Sequence, residues 1–306
     1  MKVNTIDMVA TDASTPSSFS LAARVKDYMQ LTKFTLSLTV VFSCVICYLL
    51  APKVVEYNWW MILLLFIAGM LITGSANAIN QAVEKDTDAV MKRTAARPVA
   101  SGRMSQQEAY AFAFIAGVIG VVMMWYFFNL SSALLSAFSL FLYAYIYTPL
   151  KKINSIAVLV GAFPGALPCL IGWVAGNDDF SAGGWALFGI QFLWQFPHFW
   201  AIAWVAHTDY SKAGFKLLPS DKGPTRFTAM QAVMYAVLMI PVGILPYYFG
   251  MTGKTSMWIV MACNLFMVVQ CLRLYKEMDV KAARRVMFSS YIYLPVVLLT
   301  LLANKL

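Results

Sequence analysis

The chain has 306 residues, 60% of them hydrophobic and 12% charged, and its 23 lysines and arginines against 14 acids give a net charge of +9. Soluble domains carry about 25% charged residues, so this composition excludes a soluble enzyme and a disordered binder. The positive excess fits either a nucleic-acid partner or a membrane-orienting signal, and its placement along the chain decides between them.

Residues 1–20 contain Asp7 and Asp12 in a Ser/Thr-rich stretch without an apolar core, which predicts a disordered cytoplasmic tail and not a cleavable signal peptide. Residues 21–33 predict a short interfacial helix with Leu21, Val25, Tyr28 and Met29 on one side. Nine uncharged apolar runs follow, at roughly 34–51, 59–80, 109–128, 130–149, 155–175, 183–205, 228–249, 255–272 and 286–303. Each is long enough to cross a bilayer as a helix. Little more than Asn129 separates the third run from the fourth. The expected fold is an all-α integral membrane protein, a bundle of nine transmembrane helices forming one domain over 21–306.

An odd number of spans puts the termini on opposite sides. With the N-terminus cytoplasmic, 20 of the 23 bases fall on that side, and only Lys53, Lys254 and Lys305 fall on the other. This asymmetry orients the chain with its N-terminus inside and its C-terminus outside. The charge is thereby explained as a topogenic signal, and no nucleic-acid partner is implied. Cys44, Cys47, Cys169, Cys263 and Cys271 all lie within predicted spans, where cysteine acts as a small apolar packer. Cys44 and Cys47 have redox or metal spacing but no second ligand pair.

Two cytoplasmic connections are long and polar, 81–107 and 206–227, and the scarce acids gather there: Glu84, Asp86 and Asp88 in the first, Asp209 and Asp221 in the second. They follow spans two and six. An offset of four helices returns the chain to the same side, so the loops can face one another as in a parallel repeat. If helix two runs on past the bilayer until Pro98 stops it, Asn80, Glu84 and Asp88 fall at i, i+4 and i+8 on one stripe. Such oxygen ligands suit Mg²⁺. Lys92, Arg93 and Arg97 come next, and guanidinium and ammonium groups suit phosphate. Acids for a metal beside bases for phosphates imply a diphosphate held at the membrane surface. The bland alternative is that the acids merely pair with Lys85, Lys92 and Arg93 on a solvated helix end.

Both histidines of the chain lie around the second connection, His198 near the end of the run before it and His207 at its start. Nine residues of continuous helix put them on opposite faces, which argues against a joint metal site. Each could ligate haem iron, act as a base, or only hydrogen-bond its surroundings. Asp209 could add a metal oxygen, and Lys212 could reach phosphate.

At these residues the sequence resembles the UbiA-type intramembrane prenyltransferases. Asn80-x3-Glu84-x3-Asp88, with Met91-Lys-Arg93-Thr94 and Arg97-Pro98, looks like the family's first signature. Gln195-Phe-Pro-His198-Phe and Asp209-Tyr-Ser-Lys-Ala-Gly214 resemble the branch that farnesylates haem B. Tyr147-Thr-Pro-Leu-Lys151-Lys152 and Gly161-Ala-Phe-Pro-Gly-Ala-Leu-Pro168 match further family stretches. The resemblance extends over about residues 25–303. It implies transfer of farnesyl from farnesyl diphosphate to a vinyl group of haem B, with water addition, in a lipid bilayer such as the bacterial inner membrane. It assigns Asn80, Glu84, Asp88 and Asp209 to Mg²⁺ and catalysis, and Arg93, Arg97, Lys151, Lys152 and Lys212 to diphosphate. His198 becomes a haem-pocket candidate, with His207 behind it.

The sequence departs from the family in two places. Four residues either side of Asp209 stand Val205 and Ala213 where a second acid is usual, and Leu31-Thr-Lys-Phe34 replaces the family's Leu-Thr-Lys-Pro. The second departure predicts a less sharp start to helix one. Competing readings are a UbiA-type enzyme acting on an aromatic quinone precursor, a nine-helix transporter, and an assembly factor for a haem–copper oxidase. Transporters need ionisable groups near mid-membrane, and no charge falls deep in a predicted span. The transferase could also contact oxidase assembly proteins, but no surface in the sequence marks such a partner.

Overall fold

The computed structural model describes residues 20–220 and 222–306, which form helices, turns and one isolated bridge, Thr252 to Lys305. The expected tail, Ser20 apart, and Asp221 lie outside the described residues. Ser20 caps α1 (Leu21–Leu31), whose Leu21, Val25 and Met29 remain exposed at the spacing of an interfacial face. Tyr28 instead turns inward, donating to Glu108 at 2.9 Å. The chain bends by 52° at Thr32–Lys33 into α2 (Phe34–Leu50).

Next come α3 (Trp59–Val83), the short α4 (Lys85–Ala89) and α5 (Gln106–Phe127). α6 (Leu130–Phe141) continues through a π-helical turn, Leu142–Tyr147, into α7 (Thr148–Leu150). The second half comprises α8 (Ala157–Asn177), α9 (Ala182–Val205), the short α10 (His207–Lys212), α11 (Arg226–Tyr248), α12 (Lys254–Glu277) and α13 (Val280–Ala303). Several of these helices start on good N-caps. Asn58, Ser105, Thr225 and Asp279 accept from amides of the first turns. Asn129, the sole polar residue between two spans, does two jobs: its Oδ1 accepts from the Ser132 amide at 2.7 Å and its Nδ2 donates to Val174 O at 2.8 Å.

Among the described residues seven helices are long and apolar enough to span a membrane, and the bent α1–α2 pair brings the number to eight. α9 is the exception to the nine runs expected. It has 24 residues, roughly 36 Å of helix at 1.5 Å per residue, but carries Gln191, Gln195, Pro197, His198 and three glycines. Its polarity has a structural use, because it is wrapped by α8, α11 and α13. α8 is the central helix, 78% buried over its apolar stretch against 22–44% for the other spans. α2 packs along α8, and α13 touches α2, so the ring closes between first and last spans. The α2–α8 approach requires glycine: a Cβ at Gly172 would overlap the Cys44 carbonyl oxygen.

Prolines interrupt α8, α9, α11 and α13, and in lipid the carbonyls they strand need other donors. Pro168 leaves Pro164 O without its helical amide, and Ser139 Oγ lies 3.3 Å from it. Gln191 and Gln195 donate to Gly165 O and Ala162 O at 2.7 and 3.0 Å, stitching α9 to the proline-broken stretch of α8. The five cysteines are unbridged, four of them buried and Cys263 partly so.

Candidate functional site

The polar groups converge at one end of the bundle, where α1 meets α2, α3 ends, and the connections after α7 and α9 return. α3 carries the organising face: Asn77, Asn80, Gln81 and Glu84 are all buried there. Gln81 Nε2 donates to Gln30 O and Leu31 O at 2.7 and 3.0 Å, and Asn77 Nδ2 donates to Thr32 O at 3.1 Å. These amides tie α3 to carbonyls around the broken α1–α2 turn, where Gln30 O also accepts from the Lys33 amide and Thr32 O from Ser37 Oγ. The bend is therefore sharp without the family's proline, contrary to the expectation from Phe34. Lys33, the pivot, sits in the left-handed region at φ 47°, a conformation a non-glycine residue adopts at some cost. The turn delivers its Nζ to Asn80 Oδ1 at 2.9 Å. Burial, together with the positive charges of Arg97 and Lys151, pushes the Lys33 amine down to about 7.

The acid stripe is present, with a break. α3 stops at Val83 and α4 resumes at Lys85, yet the Glu84 and Asp88 amides still reach Asn80 O and Glu84 O at 3.0 and 2.7 Å. Asn80, Glu84 and Asp88 consequently stay in register. Regular helix ends at Ala89, not at Pro98: Met91, Thr94 and Pro98 form successive turns, and Thr94 Oγ1 donates to Asp88 O at 2.8 Å.

The acids do not pair with their sequence neighbours. Glu84 Oε1 accepts from Lys151 Nζ at 2.9 Å, 67 residues away, with both side chains under 10% exposed. Lys151 Nζ also lies 4.5 Å from the centre of the Tyr147 ring. Asp88 accepts from Arg97 Nη1 on both oxygens, at 2.8 and 2.7 Å. Asp86 is exposed. The solvated-helix alternative thus fails for the two acids of the stripe.

The two long connections do meet. Arg93 donates to Tyr210 Oη at 3.1 Å and its guanidinium lies 5.5 Å from that ring's centre, while the Lys216 amide donates to Lys151 O at 2.8 Å. Asp209 is half-buried on α10, and Lys152 and Lys212 are exposed on the surrounding rim. Among the described residues no three acid, histidine or cysteine side chains converge as a ready-made metal centre. The carboxylates of the stripe instead face cations of their own chain. Their oxygen donors nonetheless match a hard divalent ion, and the buried Nδ2 of Asn80 has no partner. An unpaired buried donor is uncommon, and an acceptor oxygen of an anionic ligand would satisfy it.

The histidines part company because α9 ends at Val205, so they do not share one helix. His207 begins α10 and packs over Gly223, where a Cβ would overlap the imidazole ring. His198 lies deeper, 8% exposed, stacked on Trp194 and bonded to Ser290 at 2.7 Å. Sequence reasoning missed Lys33 and Tyr210 as site groups. In the sequence Lys33 stands only within Leu31-Thr-Lys-Phe34 and Tyr210 only within Asp209-Tyr-Ser-Lys-Ala-Gly214; what marks them is a contact across the fold, with Asn80 and Arg93 respectively.

The sequence pattern of the UbiA prenyltransferase family matches residues 40–293. A protoheme IX farnesyltransferase of Cytophaga hutchinsonii is 44% identical, covering 93% of this chain and 99% of its own. One from Flavobacterium psychrophilum is 42% identical, covering 91% and 94%. In solved structures the fold is similar to digeranylgeranylglyceryl phosphate synthase, with a TM-score of 0.76 at 22% identity over 92% of this chain and 98% of that one. It is also similar to a UbiA homolog from Archaeoglobus fulgidus bound to GPP and Mg²⁺, with a TM-score of 0.69 at 13% identity over 90% and 99%. The acid stripe on α3, the bent α1–α2 junction and a pattern match over 40–293 agree, and the chain belongs to the UbiA prenyltransferase family.

Proposed function

We propose that this protein transfers the farnesyl group of farnesyl diphosphate to a vinyl group of haem B, with addition of water, giving haem O and releasing diphosphate. The acceptor follows from the relatives named protoheme IX farnesyltransferase, which match along nearly the whole chain. The observation that carries the donor half is the convergence of Lys33, Arg97 and Lys151 on Asn80, Asp88 and Glu84. Ionising an allylic diphosphate concentrates negative charge on the leaving oxygens, and preorganised cations at that place stabilise it.

In this reading Arg93, Arg97, Lys151, Lys152 and Lys212 bind diphosphate oxygens, with Lys33 beside them. Asn80, Glu84, Asp88 and Asp209 hold Mg²⁺, the ion bound by the Archaeoglobus fulgidus homolog. Magnesium, when bound, neutralises diphosphate charge as the C1–O bond breaks. The chain itself orients the diphosphate at the polar end, keeps the prenyl tail in the apolar interior, and screens the allylic cation from water there. His198 belongs to the haem pocket, with His207 nearer the rim.

The topology that supports this reading has nine spans, counting α9 and treating α1 as interfacial. The N-terminus and the site face the cytoplasm, and the C-terminus lies outside, in a bacterial inner membrane. The support is the placement of 20 bases on the side of the acid stripe. Residues 21–306 then form one membrane domain, and 1–20 a cytoplasmic tail. The decisive experiment incubates the purified protein with farnesyl diphosphate, Mg²⁺ and haem B and weighs the products. A haem-mass gain of farnesyl plus water is expected, and is lost in Asp88→Asn and Glu84→Gln. Prenylation of an aromatic acid in place of haem overturns the acceptor; full activity in both variants overturns the metal assignment.

A further inference from the structure

Away from the acid–base cluster, α9 and α13 build a second polar arrangement around His198. His198 Nδ1 lies 2.7 Å from Ser290 Oγ, and Ser290 Oγ lies 2.6 Å from Met287 O. A hydroxyl has one hydrogen, and a carbonyl oxygen can only accept. The short contact to Met287 O therefore takes the hydroxyl hydrogen, and the hydrogen between Ser290 and the imidazole must come from Nδ1. The same serine anchors the neighbouring ring: Trp194 Nε1 donates to Ser290 O at 2.9 Å. Trp194 stacks on His198 with centroids 4.6 Å apart and an interplanar angle of 19°, and Tyr291 meets it edge-on at 5.3 Å. Turning the ring over would forfeit the stack and the Nδ1 bond together.

The other nitrogen is left as an acceptor. Among the described residues no protein group hydrogen-bonds Nε2. With Nδ1 protonated, Nε2 carries the free lone pair of the ring. A neutral imidazole whose remote N–H is held by a hydrogen bond is the usual form of an iron-ligating histidine.

We infer that Ser290 is a positioning residue, fixing His198 as the Nδ1–H tautomer so that its Nε2 ligates the iron of haem B. This deepens the proposed activity and rests on haem being the acceptor. The iron contact would hold the macrocycle by its centre and leave its vinyl edge to approach the farnesyl carbon. Ser290 touches neither substrate and acts only through His198.

The test uses full-length protein labelled with ¹⁵N-histidine in detergent. The chain has two histidines, so His207→Gln assigns the spectrum. The expected result is a single Nδ1–H tautomer at His198, converted to a mixture in Ser290→Ala and retained in Ser290→Thr. Titrated with ferric haem B, the wild type shifts the Soret band; Ser290→Ala binds about 10-fold more weakly with a smaller shift, and Ser290→Thr recovers both. A packing role alone would not move the tautomer. An Nε2–H tautomer in the wild type overturns the inference, as does a Ser290→Ala variant with unchanged tautomer and Soret band. A wild-type Soret band left at its free-haem position overturns it even where haem O is still formed, whereas absence of haem O from the product assay overturns the activity itself.

Discussion

Replacing Lys151 by methionine keeps the aliphatic stem and removes the ammonium from Glu84. At 2.9 Å the attraction is about 6 kcal/mol for an effective dielectric of about 20, most of it offset by the cost of burying both charges. Breaking one side of a buried pair typically costs about 3–5 kcal/mol. An independent ceiling exists, because a stranded glutamate can take up a proton, which at pH 7 costs about 3.7 kcal/mol for a group of solution pKa about 4.3. Loss of the ammonium from the Tyr147 face, 4.5 Å away, adds about 1 kcal/mol. Lys151→Met should therefore destabilise the protein by about 3–5 kcal/mol, and Lys151→Met with Glu84→Met should recover most of it, since no charge is then stranded. The assay is reversible unfolding in mixed micelles followed by tryptophan fluorescence, arranged as a double-mutant cycle. A single variant within about 0.5 kcal/mol of wild type, or a double variant no better than the single, would refute the pairing. Activity falls in both variants, so stability is the readout that discriminates.

Lys305 Nζ donates to Leu49 O, Ala51 O and Val54 O, each at 2.8 Å, so Lys305→Met should cost about 1–3 kcal/mol at the C-terminus of α2 while the product spectrum stays unchanged. Gly172→Leu should fail to assemble α2 against α8, since even a Cβ there overlaps the Cys44 carbonyl; gel filtration and protease sensitivity report it, and a normal elution profile contradicts the close approach. Tyr293 Oη donates to Asn264 Oδ1 at 2.5 Å and Asn264 Nδ2 to Met239 O at 2.9 Å. Tyr293→Phe and Asn264→Ala should therefore each lose about 1–2 kcal/mol and be clearly non-additive together in the same unfolding assay.

Apolar length and cap residues made most of the helices legible. The run that begins at residue 109 and the one that begins at 130 proved to be α5 and α6, divided where Asn129 could only be a cap. Helices ran longer than the apolar runs where charge was tolerated at the membrane edge, as at Arg273 and Lys276 in α12 or Lys281 and Arg284 in α13. The run at 183–205 reads as a span like the others, but α9 is not among the helices apolar enough to cross on their own, because a helix surrounded by protein can carry glutamines and a histidine that lipid would reject. In the site, the i, i+4, i+8 spacing placed Asn80, Glu84 and Asp88 together, since local periodicity survives even a broken helix. Their partners were illegible: Lys151 and Tyr210 reach the first connection from 67 and 117 residues away, and periodicity carries no information over such separations. The bend at Lys33 was misjudged for the same reason. The bend is bridged by amides on α3 that donate to carbonyls at the turn, contacts that the residue at 34 does not announce.

Those cross-chain partners alter what the acid stripe means. A site with only carboxylates would draw in a metal ion regardless of substrate, and one with only bases would hold any phosphate. Here Glu84 and Asp88 each already have a cation, and Lys33 an amide oxygen. A metal ion alone must displace Lys151 or Arg97 and strand it in a buried place, and a diphosphate alone must strand a carboxylate, each at several kcal/mol. On the proposed reading a magnesium diphosphate would bring both charges, and carboxylates and cations would exchange partners without any being left unpaired. On the proposed assignment the internal ion pairs would act as a selectivity device. They neutralise the polar end of an apolar bundle, and on the proposed assignment they would favour a ligand that carries a cation and a diphosphate together.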